Sequence, residues 1–188
     1  MKYRRTIVLN YDTVEKRTET RVSRKKRSTA SKRRETKKKR KQGENRLEYV
    51  FYTDGACLPN PGRGGWGFYG KCGEQEIVDY GGERKTTNNR MELMAAIKAL
   101  KSVTEPSIIT IFTDSQYLKR GIMDWINLWK KNGWITYSGQ EVKNRDLWET
   151  IELLCKTHEV IWKWVRGHSG NKGNEIADNL AVKGRKNI

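Results

Sequence analysis

Residues 47–83, LEYVFYTDGACLPNPGRGGWGFYGKCGEQEIVDYGGE, decide the fold, because they hold three strand-like runs separated by short turn signals. In LEYVFYTDGA, Tyr49, Phe51 and Thr53 alternate with Val50, Tyr52 and Asp54, which is the period of a β-strand. LPNPGRGG then supplies turn residues, and GWGFYGKC and EQEIVDYGGE follow as two further strands with Gly73 at the break between them. Three sequential strands joined this tightly predict an antiparallel meander.

Downstream the period changes. From Thr87 to Val103, Leu93, Ala96, Ile97, Leu100 and Val103 recur at helical spacing among good helix formers. Pro106 breaks that pattern, and SIITIF (107–112) is a continuous apolar run, the pattern of a strand buried on both faces. SQYLKRGIMDWINLWKK (115–131) reads as a helical region broken near Gly121, followed by a basic, glycine-containing connector, NGWITYSGQEVKN. NRDLWETIELLCK is a helix capped by Asn144, and HEVIWKWV is a strand with Val160, Trp162 and Trp164 on one face. RGHSGNKG is a flexible loop. NEIADNLAVKG is a final helix capped by Asn174 and ended at Gly184. The order βββαβααβα predicts an α/β domain.

The chain has 188 residues and a net charge of +17, very unevenly placed. Residues 1–47 hold 19 Lys/Arg and 5 Asp/Glu, while 48–188 hold 20 and 17, so the first quarter carries +14 and the rest +3. The stretch from Arg21 to Arg46 has almost no apolar residues and cannot bury enough surface to offset the entropy of ordering. It is expected to be disordered when free, with only Lys2 to Tyr11 showing strand character. All seven Trp lie after residue 47, so the division expected is a basic extension, 1–46, and a working domain, 47–188. Cys57, Cys72 and Cys155 form neither a CxxC pair nor an even set, which argues against a disulfide framework or a zinc site and for a reducing compartment. No apolar run reaches the length of a membrane span, and the basic N-terminus lacks the apolar stretch of a secretory signal.

Four carboxylates stand out against this basic background. Asp54 lies within or at the end of the first strand and Asp114 follows the fourth; pairing of those strands would bring both to one end of the sheet. Glu92 lies early in its helix, beside the apolar set, and Asp178 lies next to a stripe of Ile176, Ala177, Leu180 and Ala181 that leaves it directed away from the core. Such a cluster repels itself unless cations neutralise it, and oxygen-only ligands suit Mg²⁺ or Mn²⁺ rather than zinc. Two such ions can activate a water and stabilise an in-line phosphoryl transition state, which is a mechanism for phosphodiester hydrolysis. Taken one at a time these acids would be unremarkable, since a lone Asp after a strand is more often a turn former.

DGACLPNPGRGGWG, TTNNRMELMAAI, FTDSQY, WINLWKKNGW with VKNRDLW, and WKWVRGHSGNKGNEIAD together resemble type 1 ribonuclease H of the bacterial-like form, from about Leu47 to Val182. The resemblance implies a ribonuclease H-like fold with a five-stranded mixed sheet, three antiparallel strands then two parallel, flanked by helices. It implies an endonuclease that cuts the RNA strand of an RNA/DNA hybrid, leaving 3′-hydroxyl and 5′-phosphate ends. By motif match Asp54, Glu92, Asp114 and Asp178 would hold two Mg²⁺, with Mn²⁺ as a substitute. His168 matches the family's histidine that assists proton transfer or product release; its bland alternative is a loop residue with no task.

Asn88, Asn89 and Gln116 are amides beside metal-ligand positions and match residues that read 2′-hydroxyls, with a helix cap as the alternative for the two asparagines. Asn60 and Thr87 resemble a pocket for a phosphate of the DNA strand. Trp125, Trp129, Lys130, Lys131, Trp134 and Lys143 combine aromatic faces with cations and resemble the family's basic protrusion. Trp66, Trp148, Trp162 and Trp164 are assigned to packing.

The extension would add salt-dependent, sequence-independent affinity for polyanions; a nuclear localisation signal and a merely solubilising tail are the competing readings. A non-catalytic binding module on the same fold would have no reason to keep the acids. Integrases, transposases and Holliday-junction nucleases share the fold and its clustered acids but differ in substrate, and the NNRMEL segment and the Trp/Lys connector favour the hybrid-cleaving branch; a domain released from a reverse transcriptase would share the activity. The partner expected is an RNA/DNA hybrid, with no membrane and no small-molecule cofactor, for a monomer in the cytoplasm, or in the nucleus of a eukaryote.

Overall fold

The computed structural model describes residues 46–188, and the expected extension with its strand at Lys2 to Tyr11 lies outside them. The first three strands are β1 (Glu48–Cys57), β2 (Gly62–Cys72) and β3 (Gln75–Thr86), followed by α1 (Asn88–Lys101) and β4 (Ile108–Thr113). Next come α2 (Gln116–Arg120), a π-helical turn (Gly121–Trp125), α3 (Ile126–Lys131), α4 (Arg145–Thr157), β5 (Glu159–Trp164) and α5 (Lys172–Lys186). The sheet order is β3-β2-β1-β4-β5, with β1–β2 and β2–β3 antiparallel and β1–β4 and β4–β5 parallel. This is the mixed sheet expected.

The register sorts the side chains onto two faces, because alternate residues of a strand point oppositely. Phe51, Ile109 and Ile111 pack under α1 with Met91, Ala95 and Leu100, all fully buried. Each large side chain removed from water in this way contributes about 1.5–3 kcal/mol. A second cluster joins α1 to α2, the π-turn and α4 through Leu93, Ile97, Leu118, Ile122, Trp148 and Ile151. Helix α5 covers the other face, but only over β1, β2 and β3.

That partial cover corrects the expectation for β4. Ile109, Ile111 and Thr113 are buried, whereas Ile108, Thr110 and Phe112 on the opposite face are only half-buried, since no helix lies over them. Phe112 stacks instead on Tyr52, ring centroids 4.8 Å apart.

Several local expectations are also revised. Strand β2 begins at Gly62, so the turn before it is shorter than LPNPGRGG. The helical region after Asp114 is not broken at Gly121 but passes through a π-helical turn there, and a Cβ at 121 would strike the Trp148 indole. Asn144 does precede α4, but in the left-handed region (φ 59°) and without a side-chain cap; its carbonyl accepts from Leu147 and Trp148. Helix α5 is capped by Asn171, whose Oδ1 accepts from the Asn174 N–H at 3.2 Å, and it continues through Gly184 to Lys186. Gly184 does not stop the helix because its backbone lies against Gly81 and Gly82. The buried line of α5 is Gly173, Asn174, Ala177, Ala181 and Gly184, while Ile176 is 39% exposed. On β5, Val160 is buried but Trp164 is 42% exposed, so that tryptophan is not a packing residue.

The three cysteines are free. Among the described residues no helix is long and apolar enough to cross a membrane.

One close approach sets the geometry. A Cβ on Gly55 would meet the backbone of Met91 and Glu92, so the absence of a side chain there lets the first turns of α1 lie directly on β1. Gly55→Ala is expected to lower the unfolding free energy by about 1–3 kcal/mol, the cost of forcing atoms into a packed interior, measured by urea denaturation. An unchanged midpoint would contradict this approach of helix to strand.

Candidate active site

Strands β1 and β4 pair in parallel through Thr53↔Thr113, which lie buried on the α1 side. The next residue of each chain segment, Asp54 and Asp114, therefore turns to the opposite side at the same end of the sheet. Asp54 is 8% exposed and accepts the Gly55 N–H at 2.7 Å. Asp114 accepts the Asn174 side-chain amide on Oδ2 at 3.0 Å, and its backbone carbonyl accepts the Trp164 indole N–H at 3.1 Å.

Glu92 comes from the second turn of α1, 6% exposed. Its Oε1 accepts from the Asn88 amide at 3.3 Å, and its buried Oε2 has no partner. One oxygen each from Asp54, Glu92 and Asp114 all lie within 4.8 Å of one another. Asp178, on α5, stands outside that group but close enough to Asp54 for its charge to act there. His168 occupies the loop before α5 at φ 50°, its side chain 84% exposed and its Nδ1 4.0 Å from Asp178 Oδ2.

The electrostatics follow from this crowding. Burial pushes the Asp54 carboxyl up to about 8, helped by the charges of Asp114 and Asp178 and opposed by the Gly55 N–H. Burial likewise raises Glu92 well above the ordinary carboxylate range, reinforced by Asp54 and Asp114 and opposed by the Asn88 amide. A buried carboxylate oxygen with no donor, surrounded by other carboxylates, fits a bound cation, because a cation would satisfy the orphan atom and reverse the repulsion together. The donors are all oxygens, which suits a hard divalent ion.

The remaining candidates fall into two groups. Asn60, Thr87, Asn88 and Asn89 lie together: Thr87 caps α1 by accepting from the Arg90 N–H at 3.3 Å, and Asn60 Oδ1 accepts the Asn88 N–H at 3.2 Å. Thr87 is therefore the cap, while Asn88 spends its side chain on Glu92 and Asn89 is exposed. Gln116 is exposed at the first turn of α2, which Ser115 caps at 3.3 Å.

The second group is the connector around α3. Trp125 is half-buried and tilts against Tyr117 and Trp129; Lys131 and Lys143 are exposed. Lys130 is tied to Glu152 at 2.5 Å. Trp134 is corrected: at 8% exposure it belongs to the core cluster beneath α3 and offers no open face, with Arg145 over its ring at 5.5 Å.

Two site residues do not stand out in the sequence. Asn174 has the pattern of a cap, yet it is 3% exposed and holds Asp114; its position four residues before Asp178, on the same helix face, is the signal that points to it. Arg90 makes a two-toothed ion pair with Asp146 at 3.1 and 3.0 Å and also reaches Asn144 at 3.4 Å, fastening the connector to α1. No short-range pattern announces that pair, because its partners are 56 residues apart.

Comparison with known proteins gives a consistent result. The RNase H family profile matches residues 46–186. A ribonuclease H of Polynucleobacter asymbioticus is 51% identical over 144 residues, covering 77% of this chain and 94% of that protein. A ribonuclease H of Francisella tularensis subsp. novicida is 54% identical over 140 residues, covering 74% and 91%. Among solved structures, LC9-RNase H1, described as a type 1 RNase H with the type 2 active-site motif, superposes with a TM-score of 0.71 at 29% identity, covering 78% of this chain and 75% of that one. The foamy viral protease-reverse transcriptase in complex with RNA/DNA hybrid has a TM-score of 0.64 at 22% identity and covers 76% of this chain and 20% of that one, a likeness of fold alone.

The raised carboxyls make a stability prediction for the cation-free protein. A group whose folded pKa lies above its unfolded value stabilises fully below the unfolded value, near 4, and that stability is lost as pH rises towards the folded value, about 8 for Asp54. In EDTA, Asp54→Asn should therefore melt close to wild type at pH 4 and several degrees above it at pH 8, at ~2–4 °C per kcal/mol of relieved desolvation and repulsion. A gap between the two melting temperatures that does not widen with pH would contradict the crowding.

Proposed function

The chain belongs to the ribonuclease H family, and on that basis we propose that it cleaves the RNA strand of RNA/DNA hybrids with two Mg²⁺ held by Asp54, Glu92, Asp114 and Asp178, leaving 3′-hydroxyl and 5′-phosphate ends. It is a hydrolytic endoribonuclease of the type 1, bacterial-like form. The observation that carries the metal assignment is the buried, unpartnered Glu92 Oε2 within a set of three carboxylates whose oxygens share one 4.8 Å group. Bound there, divalent ions supply Lewis acidity for the attacking water and the leaving oxygen.

The chain's own residues do the rest. The Asn88 amide and the Gly55 N–H fix Glu92 and Asp54, and Asn174 fixes Asp114, so the ligand oxygens are aimed before substrate arrives. His168, exposed and beside Asp178, is placed to give or take a proton at the cleaved phosphate or to help product leave. Asn89 and Gln116 are free amides on either side of the acids and can pair with 2′-hydroxyls of the RNA strand, with Asn88 reading the same strand from its place on Glu92. Asn60 and Thr87 line a pocket for a phosphate of the DNA strand. Trp125, Lys131 and Lys143, with Lys130 beside them, present aromatic and cationic groups to the duplex backbone.

This domain, 47–188, works as a monomer without a small-molecule cofactor, in the cytoplasm or the nucleus of its host. The extension, 1–46, adds sequence-independent grip on the substrate through its +14 balance, to which Arg46 belongs.

Incubating wild-type protein with Mg²⁺ and a hybrid labelled on each strand is expected to cut only the RNA, with 5′-phosphate on the new ends. Asp54→Asn should lose at least ~10³-fold in rate, and His168→Ala about 10²-fold, the usual contribution of a single proton-transfer group. Equal cutting by Asp54→Asn, or cutting of double-stranded DNA, would overturn the assignment. Deleting residues 1–46 should weaken hybrid binding at low salt and flatten its salt dependence with little change in kcat; equal salt slopes would exclude a substrate-gripping role for the extension.

A further inference from the structure

Away from the acids, at the end of β2–β3 nearest the α5 C-terminus, five cations gather with little reason in the fold alone. The pairing Gly62↔Thr86 shifts register to Gly64↔Glu83, so Arg63 stands across from Arg84 and Lys85 on the neighbouring strand. Like charges on adjacent strands are destabilising. The α5 end that carries Arg185 and Lys186 lies against the same strands: a Cβ on Gly65 would strike the Arg185 backbone, and one on Gly82 would come 2.7 Å from the Gly184 carbonyl.

Arg63, Arg84, Lys85 and Lys186 are exposed, and among the described residues neither they nor Arg185 have an ion-pair partner. Arg185 also holds a buried Nε with no acceptor, a donor whose desolvation nothing within the domain offsets. Glu83, the neighbouring carboxylate, pairs with Gly64, whose missing Cβ faces Met91, so Glu83 belongs to the α1 side, where its charge acts on Arg90. The helix dipole accounts for basic residues in the last turn of α5 at ~0.3–1 kcal/mol each. It does not account for Arg63 or Arg84.

The surroundings say what would offset the charge. Leu58 N–H donates to the Arg63 carbonyl, closing the loop that carries Asn60, and Arg84 lies three residues before Thr87. The patch thus adjoins Asn60 and Thr87 in the chain. Along α5, Arg185 is seven residues from Asp178, about 10 Å, or about three base steps of a duplex.

We propose that Arg63, Arg84, Arg185 and Lys186 form a second backbone-binding patch that grips phosphates of the nucleic acid beyond the Asn60–Thr87 pocket, without reading sequence. This rests on the hybrid-cleaving function above. The patch lengthens the footprint and raises affinity for long duplexes, and it acts on binding rather than on the chemical step.

The test uses the full chain in Ca²⁺, with fluorescence anisotropy on a hybrid of about 20 base pairs at several salt concentrations. Arg63→Gln/Arg84→Gln should reduce the slope of log K against log[salt] by about 1–2, near 0.9 for each phosphate no longer neutralised. A charge-matched control, Lys101→Gln/Lys156→Gln, should leave the slope at the wild-type value. In Mg²⁺ the patch variant should raise KM several-fold with kcat unchanged, and it should melt at or above the wild-type temperature, because like charges have been removed. Identical slopes for the patch variant and wild type overturn the proposal, as does an equal reduction in the control, which would make the effect one of net charge. If the variant keeps its slope but binds a poly-glutamate peptide less tightly, the patch serves an acidic protein instead and the proposal falls. A wild-type protein that cuts no hybrid sinks the parent function, whereas cutting with unchanged slopes sinks only the patch.

Discussion

Carboxylates forced together at a buried sheet end repel one another, and the elements around them hold that repulsion in place. The parallel register of β1 with β4 places Asp54 and Asp114 side by side. The bare backbone of Gly55 admits α1 closely enough for Glu92 to join them, and the small residues on the buried line of α5 bring Asp178 down onto the same end. Among the described residues, no lysine or arginine neutralises these acids. Their partners are amides, from Gly55, Asn88 and Asn174, which orient the oxygens while leaving the charge in place. A basic partner would remove the repulsion that a divalent ion is suited to relieve.

That constraint explains how positive charge is distributed. The domain that contains the acids is nearly balanced, and its cations are kept at the rim: the connector with Lys131 and Lys143 on one side, the β2–β3 corner with Arg63 and Arg84 on another. Cations at the rim attract a polyanion over a Debye length without entering the site.

The element order and the antiparallel meander are legible in the sequence because each depends on local pattern, alternation in 47–54 and helical period in 87–103; the five-stranded mixed sheet is implied only by the family resemblance that the motifs around the carboxylates carry. What is not legible depends on tertiary packing. Asn174 looks like a cap because an amide at a helix start usually is one, and only the approach of the α5 start to the residue after β4 reveals Asp114 as its partner. Gly184 looks like a helix stop, yet the glycines of β2 and β3 pack directly on it. Trp134 and Trp164 exchange roles: the first sits under α3 and the second lies half-open beside Asp114, which burial of the surrounding elements decides and composition does not. The apolar run of β4 suggests two covered faces because sequence records hydrophobicity and not the reach of α5.

Calorimetry of Mg²⁺ binding in buffers of different ionisation enthalpy tests the central claim most directly. If burial, reinforced by the neighbouring carboxylates, holds Asp54 near 8 and Glu92 well above the usual range, ions entering the site must displace protons. Binding at pH 7 should release protons, and the part that comes from Asp54 should diminish as the pH rises through about 8. Binding with no proton release at pH 7, or no binding that depends on Asp54 and Glu92, would contradict it.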